Sequence, residues 1–100
     1  MPETFLTPAA LRDLAEIRAY IYEQSPEAAV HVLRVLEQSV TLVAQRPAIG
    51  HRRRDLTNKD VWFYRVFSYY LVYRAAPPPL TIIRVAHASR DVGRLLARSP

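Results

Sequence analysis

The hydrophobic period of this chain changes at Pro47, and that change limits the fold more than any single motif. Upstream, Leu11, Leu14, Ile17 and Ile21 recur at steps of three and four, with Arg12, Asp13, Glu16 and Arg18 between them. The spacing predicts an amphipathic helix, because residues three and four apart share one helical face. Thr7-Pro8 supplies its start: the hydroxyl can cap a free backbone N–H, and proline fits the first helical position. The helix ends near Glu23 or Gln24, and Ser25-Pro26-Glu27 repeats the start signal with an acid in the first turn. Ala29, Leu33, Leu36, Val40 and Val43 mark a second stripe, closed by Arg46-Pro47. So short a link requires the two helices to run antiparallel as a hairpin.

Downstream the pattern is that of strands. Ala48-Ile49-Gly50 reads as a turn and residues 51–60 as a polar, basic connection. Residues 61–67 and 69–74 are dense in aromatic and β-branched side chains and are separated by little more than Ser68, which predicts a tight β-hairpin. Pro77-Pro78-Pro79 cannot lie inside a sheet and must be the next connection, before a further strand over 80–86. Residues 4–7 form a short β-prone opening, placed at the edge or in the middle of the sheet. Ser89 offers an N-cap for a last short helix carrying Val92, Leu95 and Leu96, after which the tail frays. The expected order is β-α-α-β-β-β-α, an α+β fold in which a helical hairpin packs on a small, mainly antiparallel sheet. At 100 residues, a single domain over 1–100 is expected.

Several chemistries are excluded by what the chain lacks. Its two glycines, Gly50 and Gly93, lie far apart, so neither a phosphate-binding loop nor a dinucleotide turn can be built. There is no cysteine, hence no disulfide, thiolate metal site or Cys nucleophile, and His31, His51 and His87 are scattered without an HExxH pair. No metal and no cofactor is expected. Met1-Pro2-Glu3-Thr4 carries an acid where a secretion signal has a base, and no apolar run is long enough to span a bilayer. A cytoplasmic protein without a membrane partner is the expectation.

Charge is unevenly distributed. Residues 1–50 hold four arginines against six acids, net −2, whereas residues 51–100 hold ten basic residues against three acids, net +7. The second half therefore calls for an acidic partner, either nucleic acid or an acidic protein segment, unless it is simply a soluble basic surface. Strand alternation puts Val61, Phe63, Arg65 and Phe67 on one side, and Leu80, Ile82, Arg84 and Ala86 on one side, without fixing whether the two sides coincide. If they do, Arg65 and Arg84, with Arg74 or the run His51-Arg52-Arg53-Arg54, form a cationic surface beside aromatic rings, suited to phosphate. Otherwise these arginines pack their stems and turn their heads to solvent or an acid. His87, between a strand and a helix cap, is a candidate general acid or base, or a histidine bonded to backbone. Asp91 is explained by the N-terminal dipole of the last helix.

Phe5-Leu6-Thr7-Pro8-Ala9-Ala10, Asp13-Leu14-xx-Ile17, Ser25-Pro26-x-Ala28 and Pro47-Ala48-Ile49-Gly50 resemble ParE toxins of the RelE/ParE superfamily. So do Ser68-Tyr69-Tyr70-Leu71-Val72-Tyr73-Arg74 and Ile83-Arg84-Val85-Ala86-His87-xx-Arg90-Asp91. The resemblance runs from residue 5 to about 96, and it is carried by the order and spacing of the motifs together. It implies a RelE/ParE-like fold and the toxin of a type II toxin–antitoxin pair of the plasmid-stabilising kind. The implied partners are a cognate antitoxin with an acidic C-terminal segment, bound in a hetero-oligomer, and DNA gyrase as the target. RelE-like members instead cut mRNA on the ribosome, and for that alternative the candidate catalytic residues here are Arg65, Arg84 and His87. The Arg-Val-x-His-xx-Arg-Asp ending is itself typical of ParE-like chains, so His87 does not argue for a ribonuclease. Arg52, Arg53, Arg54, Arg74 and Arg90 are the candidate contacts to target or antitoxin, and a decayed, non-toxic antitoxin-binding module is a third reading.

Overall fold

Thr7 Oγ1 accepts the Ala10 N–H at 3.0 Å and donates to the Ile83 carbonyl at 2.7 Å, so one hydroxyl both caps a helix and ties it to a strand. This starts α1 (Pro8–Gln24), with proline in its first turn. Ser25 closes α1 through its own N–H, which donates to the Ile21 carbonyl at 2.9 Å. Its hydroxyl in turn accepts the Ala28 N–H at 3.1 Å and opens α2 (Pro26–Gln45). A single residue thus serves both helices, which is why the hairpin link is so short. The computed structural model describes residues 4–98; the start of the chain before Thr4 and the expected fraying at Ser99 and Pro100 lie outside the described residues.

Around the hairpin lie β1 (Thr4–Leu6), a single 3-10 turn over Pro47–Ile49, β2 (Trp62–Val66), β3 (Tyr69–Arg74), β4 (Leu80–His87) and α3 (Val92–Ala97). The sheet order is β1-β4-β3-β2. Two of its pairings are antiparallel and β1 runs parallel to β4 along Leu80–Ile82, so the sheet is mixed and the opening strand occupies an edge. The proline run falls between β3 and β4, as the missing N–H groups require. α1 and α2 cover one face over Leu36, Val43, Val66, Leu71, Tyr73 and Ile82. The opposite face is covered as well: Val61, Phe63, Val72 and Ala86 pack with Val92 and Leu96 of α3 and with Leu56. The basic segment after Gly50 is therefore a strap. His51 exchanges backbone hydrogen bonds with Phe63 at 2.7 and 2.8 Å, closing part of the β2 edge, and Lys59 donates to the Leu96 carbonyl near the end of α3. At Gly93 a Cβ would collide with the Leu56 backbone carbonyl, so the glycine lets α3 lie against the strap.

Three local expectations are corrected. The N-cap of α3 is Asp91, whose Oδ1 accepts the Arg94 N–H at 3.1 Å; Ser89 turns instead to His87. The carboxylate wins because it is both a hydrogen-bond acceptor and a favourable charge at that end. In α1 the buried positions are Ala10 and Asp13, whereas Leu11 is exposed. Third, Leu80, Ile82, Arg84 and Ala86 do not share a face. The pairing with β3 slips between Val72 and Tyr73, so β4 carries one extra residue there. Leu80, Ile82 and Val85 join the helix-side core, and Ile83 and Ala86 the other. A bulge of one residue exchanges the faces of everything after it.

Tyr73 is fully buried and its hydroxyl donates to the Pro47 carbonyl at 2.8 Å while accepting the Gly50 N–H at 3.0 Å. Burial raises its pKa above the ordinary 10.0. With the folded pKa raised, the unfolded chain loses this proton first. The stabilisation is complete below about pH 10 and is lost as pH rises beyond it. We expect stability by urea titration to fall above that pH, and Tyr73→Phe to flatten the fall; an unchanged slope in the variant would exclude Tyr73 as its source.

The β2–β3 turn consists of Phe67 and Ser68, with Val66 paired to Tyr69. Phe67 has φ 53°, the one positive value at a non-glycine among the described residues. A two-residue hairpin turn with positive φ at its first position favours glycine there, and holding an aromatic residue in that region costs about 1–3 kcal/mol.

Candidate functional site

Asp13 lies on the buried stripe of α1, three residues from Ala10 and four from Ile17. A carboxylate there must be paired. Its Oδ2 accepts from Arg84 Nε at 2.7 Å and from the Val85 N–H at 2.9 Å, and its Oδ1 accepts from Arg84 Nη2 at 2.8 Å. β1 pairs with β4 only as far as Ile82, and beyond its end Asp13 accepts the buried Val85 N–H that no strand meets. The fork-to-fork geometry is the strongest that arginine and carboxylate make. It holds the Arg84 guanidinium more firmly protonated than usual, the Asp13 hydrogen bonds being the main cause. The side chains are 15% and 7% exposed, so this is an interior pair pinning α1 to the bulge of β4.

Next to the pair a cleft of about 480 Å³ opens between α1 and the end of β4. Glu16, Ile17 and Tyr20 form one wall; Tyr69, Val85, His87, Ser89 and Arg90 form the other. Tyr69 meets His87 edge to face with centroids 5.3 Å apart. Its hydroxyl pKa is raised by burial and by the neighbouring Tyr20. The Ser89 backbone N–H donates to His87 Nδ1 at 3.1 Å, with the Ser89 hydroxyl 2.7 Å from the same nitrogen. A backbone N–H only donates, so neutral His87 carries its proton on Nε2 and offers a donor. The cleft is a surface of aromatic rings with a histidine donor and the Arg90 cation at its rim, a composition that suits binding of a protein segment.

The sequence-derived candidates divide between the two faces of the sheet. His87 sits opposite Tyr69, whose ring packs on the helix side, with Arg90 nearby and Arg84 held beneath by Asp13. Arg65 sits opposite Tyr70, which packs on the other side. Arg65, Arg84 and His87 are therefore not brought to one point. Of the strap arginines, Arg53 gathers with Arg65. Arg53 donates to both oxygens of Asp55 at 2.8 and 2.9 Å and to the Tyr70 hydroxyl at 2.8 Å; its guanidinium and that of Arg65 lie 5.8 and 5.6 Å from the Tyr70 ring centre. Arg53 is held more firmly protonated by Asp55, whose own pKa is lowered in return. Arg52 pairs with Asp60 and stacks 4.6 Å over Trp62, and Arg54 donates to the Asn58 carbonyl at 3.4 Å. Arg74 is exposed at the far end of β3. Sequence reasoning passed over the roles of Asp13, Tyr20 and Tyr69. The available signal was an acid on the apolar stripe of α1. Among the described residues no cluster of His, Asp and Glu is arranged to hold a metal, and no helix is long and apolar enough to cross a membrane.

Comparison with known proteins gives three concordant findings. A solved structure titled "Chromosomal ParDE TA system from P. aeruginosa" superposes with a TM-score of 0.72 at 20% identity, covering 87% of this chain and 96% of that one. It shares the fold of three helices on a four-stranded mixed sheet. "Toxin RelE3" of Caulobacter vibrioides is 26% identical over 88 residues, which is 88% of this chain and 96% of the relative. The family described as "ParE toxin of type II toxin-antitoxin system, parDE" matches residues 5–92, nearly the whole of the described chain. By that match the chain belongs to the ParE toxins of type II toxin–antitoxin systems.

Proposed function

We propose that this protein inhibits DNA gyrase by binding it, without bond-breaking chemistry of its own, and is silenced by a cognate antitoxin in a hetero-oligomer. One observation carries the choice over mRNA cleavage: Arg65 and His87 lie on opposite faces of the sheet, with Arg84 locked to Asp13. Phosphodiester cleavage needs a base, an acid and a cation converging on one phosphate. Here Arg84 already has its carboxylate, so that cation is engaged. The antitoxin reading rests on charge and shape. The Arg90 rim suits an acidic segment, and the cleft between α1 and β4 offers Ile17, Val85 and the rings of Tyr20 and Tyr69 to its hydrophobic side chains.

The test is plasmid supercoiling by purified gyrase, with the toxin freed of antitoxin. Expected is loss of supercoiling with accumulation of linear, protein-linked DNA. His87→Ala should retain this effect to within about tenfold, the worth of one side-chain contact, whereas removing an acid–base catalyst costs about 10²–10⁴-fold. Intact supercoiling together with specific cuts in translated message, abolished by His87→Ala, would establish the ribonuclease instead.

A further inference from the structure

We infer that the antitoxin enters the cleft between α1 and β4 as an extended strand, through main-chain hydrogen bonds to the Val85 carbonyl and the His87 N–H. The inference deepens the antitoxin reading and rests on it. The Ala88 N–H donates to the Ser68 carbonyl at 2.7 Å, and Tyr70 stands opposite Ala86 in the same register. Backbone groups alternate in direction along a strand, so those of Ala86 and Ala88 turn to β3, and those of Val85 and His87 turn away from it. On that outer edge β1 pairs only as far as Ile82. Val85 and His87 then present four groups. Asp13 accepts the Val85 N–H at 2.9 Å, and the His87 carbonyl accepts the Arg90 N–H at 3.0 Å. The two between them, the Val85 carbonyl and the His87 N–H, are left without a partner among the described residues, and both residues line the cleft.

An acceptor and a donor so spaced form one rung of a β-ladder. A single residue of an extended segment satisfies both, donating its N–H to Val85 and accepting from His87. β1 already lies parallel on the same edge. A helix spends its backbone groups on itself and would cover both without bonding either, which is costly. The residue that makes the rung shares the side of Ala86, and its two neighbours point into the cleft. Ile17, Tyr20 and Tyr69 call for apolar side chains there, and Arg90 at the rim suits an acid beside them.

The test uses the co-purified toxin–antitoxin complex with both chains isotope-labelled. Expected is a scalar coupling across the hydrogen bond from the His87 amide nitrogen to an antitoxin carbonyl carbon. Exchange of the His87 amide should slow at least about tenfold relative to the free toxin. Slowed exchange without the coupling means that the cleft is covered by a segment that does not bond, and overturns the inference, as does unchanged exchange. Two variants read the same contact as affinity. His87→Ala and His87→Pro both lose the ring, but only proline loses the N–H, and proline is tolerated where a strand N–H points away from its ladder. With equal thermal midpoints, His87→Pro should bind the antitoxin about tenfold more weakly than His87→Ala. Equal affinity overturns the inference. If the proline variant does not fold, the coupling in the parent complex decides. A toxin that co-purifies with no partner removes the antitoxin reading itself, whereas a complex without the coupling removes only the strand.

Discussion

Asp13→Ala should destabilise the protein by about 3–5 kcal/mol, because it takes the bidentate carboxylate from the largely buried Arg84 charge and leaves the Val85 N–H without its acceptor. Domains of this size are stable by only about 5–15 kcal/mol, so the variant sits close to unfolding. A urea titration reads the loss as a lower midpoint at unchanged slope. The double variant Asp13→Leu with Arg84→Met distinguishes an uncompensated charge from a general dependence on the site. Replacing both partners by apolar side chains of similar size should restore the share owed to the ion pair, since the desolvation of two ions is then avoided, but not the roughly 1–3 kcal/mol owed to the Val85 N–H, which stays without its acceptor. A loss below about 1 kcal/mol for Asp13→Ala would mean that the pair is solvated and does not hold the bulge. The pair also links the helical hairpin to the strand that ends in His87, so its removal should loosen the cleft wall.

The second large effect is expected at Gly50. Its φ of −77° is open to any residue, so the glycine is required by space alone. A Cβ there would stand 2.5 Å from Tyr73 Oη and 2.9 Å from the Phe63 carbonyl oxygen. Overpacking of this kind costs about 1–3 kcal/mol, and displacing the tyrosine breaks hydrogen bonds worth a further 1–3 kcal/mol or so. We expect Gly50→Ala to lose about 3 kcal/mol in chemical denaturation. Tyr73→Phe removes the hydroxyl in the way, so the two substitutions together should cost less than their sum. Strict additivity in that cycle would show that the hydroxyl is not what excludes the methyl group.

Helix starts and the order of elements along the chain were legible because they depend on residues close together in sequence. Thr7-Pro8 and Ser25-Pro26 cap as their hydroxyls require, and the aromatic runs on either side of Ser68 pair as a hairpin. The end of the chain is less legible: Ser89 and Asp91 are both competent caps two positions apart, and only the path of the backbone selects Asp91. The candidate site was legible as a set of residues but not as a grouping. Arg84 was singled out, yet its partner is 71 residues away on α1, where an acid on an otherwise apolar stripe was the sole hint. Likewise the basic run at 52–54 reads as a solvated loop until Arg53 is seen bonded to Tyr70.

Alternation along a strand predicts sides only while the register is unbroken. The bulge near Arg84 breaks it, and sets Val85 and His87 toward the helices while Arg65 stays on the opposite face. Nothing local to residues 80–87 demands that extra residue; an edge N–H left open beyond β1 and a carboxylate arriving from α1 do. Capping, helical period and turn chemistry are short-range and were written in the order of the amino acids. Which face each functional side chain occupies depends on contacts between distant segments, and those exist only once the sheet and the hairpin have met.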